Sequence, residues 1–459
     1  MKERIKAELW DKTQYILSKF YDRMMHYAVY MNGDLDLDLI RKSIDKVITN
    51  VKVLRSRYVP NPIRQYWLVT EKYNLEELAT KEEVEDLKGS VEEFLKMHIS
   101  HKSRFQFRAK IFTCKDKCAF ALVVNHQCFD GSELKYTMRK IVECYNAFKT
   151  VGNADNVEIK SGSRAIKQLY EKMAPSTKAK AKKLYNNASK TGVKSHFKFT
   201  HNKEVSKIFF TRKLDIDFVN KLKEKGKEYN ATLNDVILAA YFRAYAKEAG
   251  FDNNKLLNIT SIVDLRRHLL PGKDLDGCTN MVAFMPCKLS GIGENFIETL
   301  KKVAENNNNQ KKDEVVGLYG IPLLALAYKI IWFDLVSEIA VKIGYENPVM
   351  QMSNLGKVER YDVTFNGCTM TDILCTGAVK NRPYFQLTCV SVDTHLNICI
   401  AENCSKEDEV LINGFLDDIM EMLKEFVKWW KLYLYVRLIF VEALIVKSWC
   451  KEWLKTIRI

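Results

Sequence analysis

The residues best suited to chemistry lie in one short stretch, from Asn125 to Gly131. Six apolar residues, 119–124, come before it and predict a β-strand that is buried on both faces. His126 follows where this run stops, so we expect its imidazole at the end of a buried strand. An imidazole has an unperturbed pKa of about 6.5, close to working pH, and can therefore act as a general base. The stretch predicts a histidine that is positioned for proton transfer.

The neighbouring elements would hold this histidine rigidly. Asp130 and Gly131 predict a turn, and Ser132 is placed to cap the helix that follows. Apolar residues recur at helical spacing through that helix: Leu134, Met138, Ile141, Val142 and Tyr145. A strand, a short loop and a helix fix a side chain more firmly than a free loop does. Taken alone, however, a single histidine is also explained by a purely structural role.

Length and composition predict a large folded protein with an ordinary core. The chain has 459 residues, 47% hydrophobic and 28% charged, which is enough for two or three domains. Its formal net charge of +15 suits an anionic partner such as a membrane surface, a phosphate-bearing cofactor or nucleic acid. The basic residues are spread along the chain without an arginine-rich arm or a zinc-finger pattern. Nucleic acid is therefore not a predicted partner.

The 12 cysteines do not form a disulfide or metal framework in the sequence, because no Cys-x-x-Cys pair occurs. Several lie in apolar segments, as expected for reduced thiols. The acids of residues 34–38 do not match a calcium loop, since Leu39 stands where that loop needs glycine. No metal site is predicted. The charged N-terminal segment lacks the apolar core of a signal peptide, so we expect a cytoplasmic protein.

Strands and helices alternate in both halves of the chain, which predicts an α/β fold with two similar lobes. We expect a first lobe over residues 1–150 and a second over 203–427. Residues 151–202 are enriched in Lys, Ser, Gly and Asn and are predicted to form a crossover connection. Residues 428–459 form an aromatic and basic tail.

Periodicity and turn signals predict further elements in both lobes: acidic amphipathic helices in 74–101, a strand in 105–112 paired with the strand before His126, a loop at the asparagine-rich 306–312, helices in 321–333, 335–343 and 407–427, and a hairpin formed by 378–392 and 396–402.

The tail carries aromatic side chains among charged ones and lacks the ~18 uncharged apolar residues of a membrane span. Lys431, Arg437, Glu442 and Lys447 interrupt it and point all round a helix, so no clean amphipathic face results. Packing on the second lobe and peripheral contact with a membrane both remain open for this segment.

The stretch from His126 to Gly131 has the pattern His-x-x-x-Asp-Gly, and it does not stand alone. Together with five other motifs it resembles the condensation-domain and chloramphenicol-acetyltransferase-like acyltransferase superfamily, which includes alcohol O-acyltransferases. The motifs occur in the family's order over roughly residues 10–425. They are Leu54-Arg-Ser-Arg-Tyr58, Thr232-Leu-Asn-Asp235, Val263-Asp-Leu-Arg266, Thr279-Asn280 and Ser353-Asn-Leu-Gly356.

This resemblance implies two αβ lobes with an active-site channel between them, and an acyltransferase activity. His126 would act as the general base that removes a proton from an alcohol or amine, which then attacks an acyl thioester. Asp130 would have a structural role and pair with Arg266, with Arg267 as the alternative partner. Gly131 would let the backbone approach the site closely.

The resemblance also implies which residues line the channel: Asn125, Ser353, Asn354 and Gly356. Many members of the family have a second histidine where this chain has Asn125. No tightly bound cofactor is expected; the acyl group would come from acyl-CoA or a separate acyl-carrier protein. Cys128 is expected to pack in the core. A non-catalytic module that binds a carrier protein or another partner is the alternative function.

Overall fold

The computed structural model describes residues 2–18, 21–61, 63–183, 195–200, 202–250, 256–330 and 349–428. It shows an α/β fold in which each half of the chain builds helices onto a mixed or antiparallel sheet. The predicted fold class is confirmed. The division of the chain at residues 150, 202 and 427 stays a prediction.

The first half supplies seven strands among the described residues: β1 (Arg4–Lys6), β2 (Met24–Asn32), β3 (Ser56–Val59), β4 (Tyr66–Val69), β5 (Ala79–Glu83), β6 (Phe107–Cys114) and β7 (Lys117–Asn125). Its helices are α1 (Leu9–Leu17), α2 (Leu37–Asn50), α3 (Leu87–Leu95) and α4 (Gly131–Val151), and two short helices follow, α5 (Lys167–Glu171) and α6 (Pro175–Ala181).

In the second half, the described strands are β8 (Ser206–Asp215), β9 (Leu256–Asp264), β10 (Val282–Ser290), β11 (Met350–Lys357), β12 (Thr369–Thr376), β13 (Lys380–Asn381), β14 (Phe385–Ser391) and β15 (His395–Cys404). The helices are α7 (Ile216–Lys227), α8 (Leu233–Ala249), α9 (Phe296–Lys311), α10 (Ile321–Ile330) and α11 (residues 406–428).

Strand β7 lies at the centre of the first-lobe sheet, whose order is β12-β2-β7-β6-β5. It pairs antiparallel with β2 and with β6, so the predicted pairing of the strand at 105–112 is confirmed. Phe120, Leu122 and Val124 pack against α2 and α4. Ala121 and Val123 pack on the opposite face. The six apolar residues before the histidine therefore form a doubly buried strand, as the sequence predicted.

The second-lobe sheet has the order β10-β9-β11-β14-β15-β13, with β8 on the other edge of β15. Its core packs under α7, α8, α9 and α11. The predicted hairpin is present as β14 and β15. Strand β12 leaves this lobe and pairs antiparallel with β2 in the first-lobe sheet. The two halves of the chain are thus joined by backbone hydrogen bonds as well as by side chains.

The prediction of helices throughout 74–101 is wrong in its middle part. Residues Ala79–Glu83 form β5, an edge strand that pairs parallel to β6, and only α3 is a helix of more than one turn. The acidic residues of this strand, Glu82 and Glu83, are both exposed. Charged side chains protect an edge strand from further pairing, which explains why the composition misleads.

The asparagine-rich run at 306–312 is helical, so the predicted loop is wrong. These residues complete α9, and their amides bond to neighbouring elements instead of competing with the helix backbone. Asn307 donates to the buried Asp235 carboxylate at 2.7 Å, and Asn306 donates to the Lys288 carbonyl at 3.2 Å. Tertiary contacts therefore override the loop preference of asparagine.

Two other predictions fall outside the described residues: the helix at 335–343 and the tail beyond residue 428. The helix at 321–333 is present as α10 over its described part, Ile321–Ile330, and the helix at 407–427 is present as α11. Of the helices that the structure describes, none is both long and apolar enough to span a membrane.

Candidate active site

His126 directly follows β7, and both halves of the chain hold its backbone. Its N–H donates to the carbonyl of Arg23 at 2.8 Å, next to β2. Its carbonyl accepts from the Asn280 side-chain amide at 3.0 Å, in the segment before β10. A residue tied in this way between two sheets has little freedom to move, which suits a group that must meet a substrate in one geometry.

The imidazole of His126 is partly exposed, whereas the residues on both sides of it are buried. Its Nδ1 is buried and has no well-formed hydrogen bond, although the backbone of His126 and Phe129 lies nearby. Burial lowers the pKa of His126; the Lys380 ammonium acts in the same direction, while these backbone groups and Asp130 oppose it. The ring is therefore neutral at pH 7, the protonation state that a general base needs.

Asp130, not Ser132, is the N-cap of α4. Its side chain accepts from the backbone N–H groups of Ser132 and Glu133, both at 3.1 Å. The second carboxylate oxygen accepts from Met281 N–H at 2.7 Å and from Arg266 Nη1 at 2.9 Å. Asp130 therefore joins the histidine loop and its helix to the second lobe.

Burial alone would raise the pKa of Asp130, but the Arg266 guanidinium and the backbone N–H groups of Met281 and Glu133 outweigh it. They hold the pKa of Asp130 below its usual value. The side chain is fully buried and ionised, with all of its contacts directed at protein groups. This arrangement fits a structural role for Asp130 and leaves proton transfer to His126.

Arg266 contacts three carboxylates at once: Asp130, Asp264 at 3.0 Å and Glu133 at 2.9 Å. Its Nη2 also donates to the Thr279 carbonyl at 3.1 Å. Arg267 is exposed, so the structure places Arg266 rather than Arg267 on the motif aspartate. One guanidinium thus connects the start of α4 with the end of β9.

Gly131 lies where β11 approaches α4. A Cβ atom on this residue would be only 2.5 Å from Cδ2 of Leu355, so a side chain cannot be added without displacing that leucine. The Lys135 ammonium binds the Leu355 carbonyl from the next turn of α4. Gly131 therefore allows Leu355 of the second lobe to pack directly against the start of α4.

The predicted channel residues on β11 make their contacts within the second lobe. The Asn354 amide binds Asn234 at the start of α8, and its oxygen accepts from Gly356 N–H at 2.7 Å. Gly356 has a φ of +75°, a conformation that favours glycine. Ser353 is buried, and among the described residues no hydrogen bond joins Ser353 or Asn354 to the histidine motif. Leu355 makes that connection instead.

Asn125 is fully buried, and its side chain forms hydrogen bonds that fix the backbone of the histidine loop. Its amide donates to the Gln106 side chain at 2.7 Å, and its oxygen accepts from Gln127 N–H at 3.0 Å. The residue that replaces the first histidine of the family pattern therefore sets the course of the chain through His126.

Sequence reasoning missed a second buried ion pair, which supports the loop from behind. Arg164 binds both carboxylate oxygens of Asp11 at 2.8 Å each and donates to the Cys128 carbonyl at 2.6 Å. Trp67 Nε1 also donates to Asp11 at 2.8 Å. Arg164 lies in the lysine- and serine-rich connection, where a single arginine gives no signal in the sequence. The segment that connects the two lobes therefore helps to hold the histidine loop in place.

Cys128 is buried, and its thiol lies 3.8 Å from the Val53 carbonyl. Burial raises the pKa of this thiol well above its usual value. A thiol that stays protonated is a poor nucleophile. The packing role expected for Cys128 agrees with this environment.

The condensation-domain family model matches residues 9–321, well over half of the chain. This range includes the histidine motif and its partner Arg266. A search of curated protein sequences returns no relative.

Several solved structures share the fold at low sequence identity. Polyketide synthase associated protein 5 from Mycobacterium tuberculosis is 12% identical, with a TM-score of 0.65 over 90% of this chain and 95% of that chain. The trichothecene 15-O-acetyltransferase from Fusarium sporotrichioides is 10% identical, with a TM-score of 0.68 over 92% and 95%. The first condensation domain of the CDA synthetase is 14% identical, with a TM-score of 0.65 over 92% and 96%.

The fold and the family model agree with the motifs, since both cover the histidine loop and the turn after β9 that supplies its arginine. The family and the acetyltransferase among these structures support acyl transfer as the broad class of activity. The chain belongs to the condensation-domain family.

Proposed function

We propose that this protein transfers an acyl group from a thioester to an alcohol or amine, with His126 as the general base. The acceptor hydroxyl or amine gives its proton to Nε2 of His126 as its oxygen or nitrogen attacks the thioester carbonyl. The C–S bond then breaks, and the thiolate takes the proton from the imidazolium. The reaction yields an ester or amide and a free thiol, and no covalent enzyme intermediate forms.

One observation carries this proposal: a neutral, partly exposed imidazole on a loop that both lobes fix. With Nδ1 buried beside the loop backbone, Nε2 is the nitrogen left to take a proton. Proton transfer by a positioned base typically accelerates a reaction about 10²–10⁴-fold. A histidine with a purely structural role does not need a ring nitrogen that a substrate can reach.

The supporting residues would act through His126 or on the substrate. Asp130 and Arg266 are positioning residues, because their contacts are all with protein groups that hold the loop and the start of α4. Ser353 and Asn354 on β11 would lie near the acyl carbonyl on the opposite side. The donor would be acyl-CoA or an acyl-carrier protein, whose acidic or phosphate-bearing surface the net charge of +15 would attract.

The test is a free-thiol release assay with a panel of acyl-CoA donors and alcohol or amine acceptors. We expect His126→Ala to lower acceptor-dependent release about 10²–10⁴-fold. His98→Ala is the matched control, since the side chain of His98 is exposed and contacts Asp22 at 3.2 Å, away from the histidine motif. Unchanged turnover in His126→Ala would refute the role of this residue.

The same assay separates catalysis from a pure binding function. A module that only binds a carrier protein would consume no thioester, yet would retain an acylated carrier in a pull-down, with or without His126. Peripheral membrane contact through residues 428–459 is a separate proposal, tested by co-sedimentation of the full and truncated chains with liposomes.

A further inference from the structure

Lys380 is a buried cation that the proposed mechanism does not use. It lies on β13, is 3% exposed, and its ammonium is 3.8 Å from the ring centroid of Tyr21, between α1 and β2. Within the described part of the chain, its ammonium has no hydrogen bond, and no carboxylate lies within ion-pair distance. Among the described residues, the face of the Tyr21 ring is the contact that stabilises this charge.

Glu402 is the register partner of Lys380 on the neighbouring strand β15, but the two side chains do not form an ion pair. The Glu402 side chain is fully buried, and neither carboxylate oxygen has a hydrogen bond. Burial raises the pKa of Glu402 well above its usual value, which favours the neutral form of this carboxyl. Burial also lowers the pKa of Lys380 to about 7, with Glu402 acting in the opposite direction. Lys380 therefore takes up a proton readily if an anion comes near.

The position of Lys380 relates it to the catalytic histidine. The Tyr21 ring that its ammonium contacts lies two residues before Arg23, whose carbonyl accepts the backbone N–H of His126 at 2.8 Å. Its contact with Tyr21 also places the ammonium where the two lobes meet. An ammonium without a counter-charge is unfavourable in the protein interior unless a bound anion neutralises it. Sites with such uncompensated groups are concentrated where ligands bind.

We propose that Lys380 forms an anion subsite beside His126 that binds a carboxylate carried by one of the two substrates. An ammonium donates charge-assisted hydrogen bonds to carboxylate oxygens, and one cation matches a monoanion. The carboxylate belongs either to a dicarboxylic acyl donor or to a hydroxy-acid acceptor. The identity of the ligand as a substrate rests on the proposed acyl transfer, whereas the binding itself does not.

Binding is measured by calorimetry in the His126→Ala background, so that no turnover occurs. Succinyl-CoA is compared with butyryl-CoA as donor, and 3-hydroxybutyrate with 2-butanol as acceptor. We expect one acid to bind about tenfold to hundredfold more tightly than its neutral counterpart. Which pair shows the preference identifies the source of the carboxylate. If neither does, the proposal is overturned, whatever the variants show.

The variants then assign the preference to one residue. Lys380→Met removes the charge and nearly keeps the length, and we expect it to abolish the preference. Lys380→Arg keeps the charge and should retain it, as should the control Lys221→Met, at an exposed lysine of α7. A preference that survives Lys380→Met would contradict the proposal. If the acids bind as expected but no acyl transfer is found, the subsite stands and the proposed function fails.

Discussion

Replacing Asp130 by alanine is the sharpest test of how the site is held together. The substitution removes four contacts: two backbone N–H groups at the start of α4, Met281 N–H and the Arg266 guanidinium. Arg266 keeps two other carboxylates, Asp264 and Glu133. The main losses are therefore the cap and the link between the lobes, and not an unpaired arginine.

Breaking a buried ion pair costs about 3–5 kcal/mol, because the partner group stays buried. Since Arg266 stays paired in Asp130→Ala, we expect a cost near the lower end, about 3 kcal/mol. Arg266→Ala should cost more, about 5 kcal/mol, because it leaves Asp130, Asp264 and Glu133 without their shared cation. The double variant should cost less than the sum, since each substitution removes part of the same network.

The assay is urea unfolding at pH 7, with Asp393→Ala as the matched control. Asp393 binds Arg360 at 2.8 Å, a similar distance, but both side chains are more than 40% exposed. An exposed pair contributes about 0–1 kcal/mol. Equal losses in Asp130→Ala and Asp393→Ala would refute the argument from burial. Because the folded pKa of Asp130 is lowered, its contribution is present above pH ~4 and is lost as the pH falls through the folded value.

Two further predictions concern activity and packing. Because burial lowers the pKa of His126 and its neutral form is the base, kcat/KM should rise with pH through a pKa below about 6.5 and then stay level; a rising limb centred above pH 7 in the pH profile would contradict this. Gly131→Ala should displace Leu355 and lower the free energy of unfolding by about 1 kcal/mol. Gly414→Ala, in α11, should be neutral or stabilising in the same urea unfolding assay, because its added Cβ would have no atom within 4 Å. Equal effects of the two substitutions on the free energy of unfolding would contradict the close approach of Leu355 to Gly131.

The elements around His126 are predictable because local signals and tertiary structure agree there. The run of six apolar residues forms a strand with both faces covered, and the helix after Asp130 has regular apolar spacing. The sequence predicts Ser132 as the N-cap of α4, whereas the structure has Asp130 in that role. Aspartate and serine are equally good caps, so the sequence alone does not choose between neighbours.

The elements that the sequence does not predict depend on distant contacts. Strand β5 forms because β6 offers it an edge, and α9 continues through its asparagines because Asp235 and the Lys288 carbonyl accept their amides. Arg164 lies in a polar connection and gains its role only when Asp11 and the Cys128 carbonyl come close. Single residues of this kind carry no periodicity, so no local pattern marks them.

The central claim is that His126 is the base for transfer of an acyl group to an acceptor. Its most direct test is the amount of acylated acceptor formed in one turnover from an isotopically labelled acyl-CoA, measured by mass spectrometry. The unsubstituted protein should form the product without a labelled protein intermediate, and His126→Ala should form it about 10²–10⁴-fold more slowly. A labelled protein, or product formed at the same rate by His126→Ala, would contradict the account.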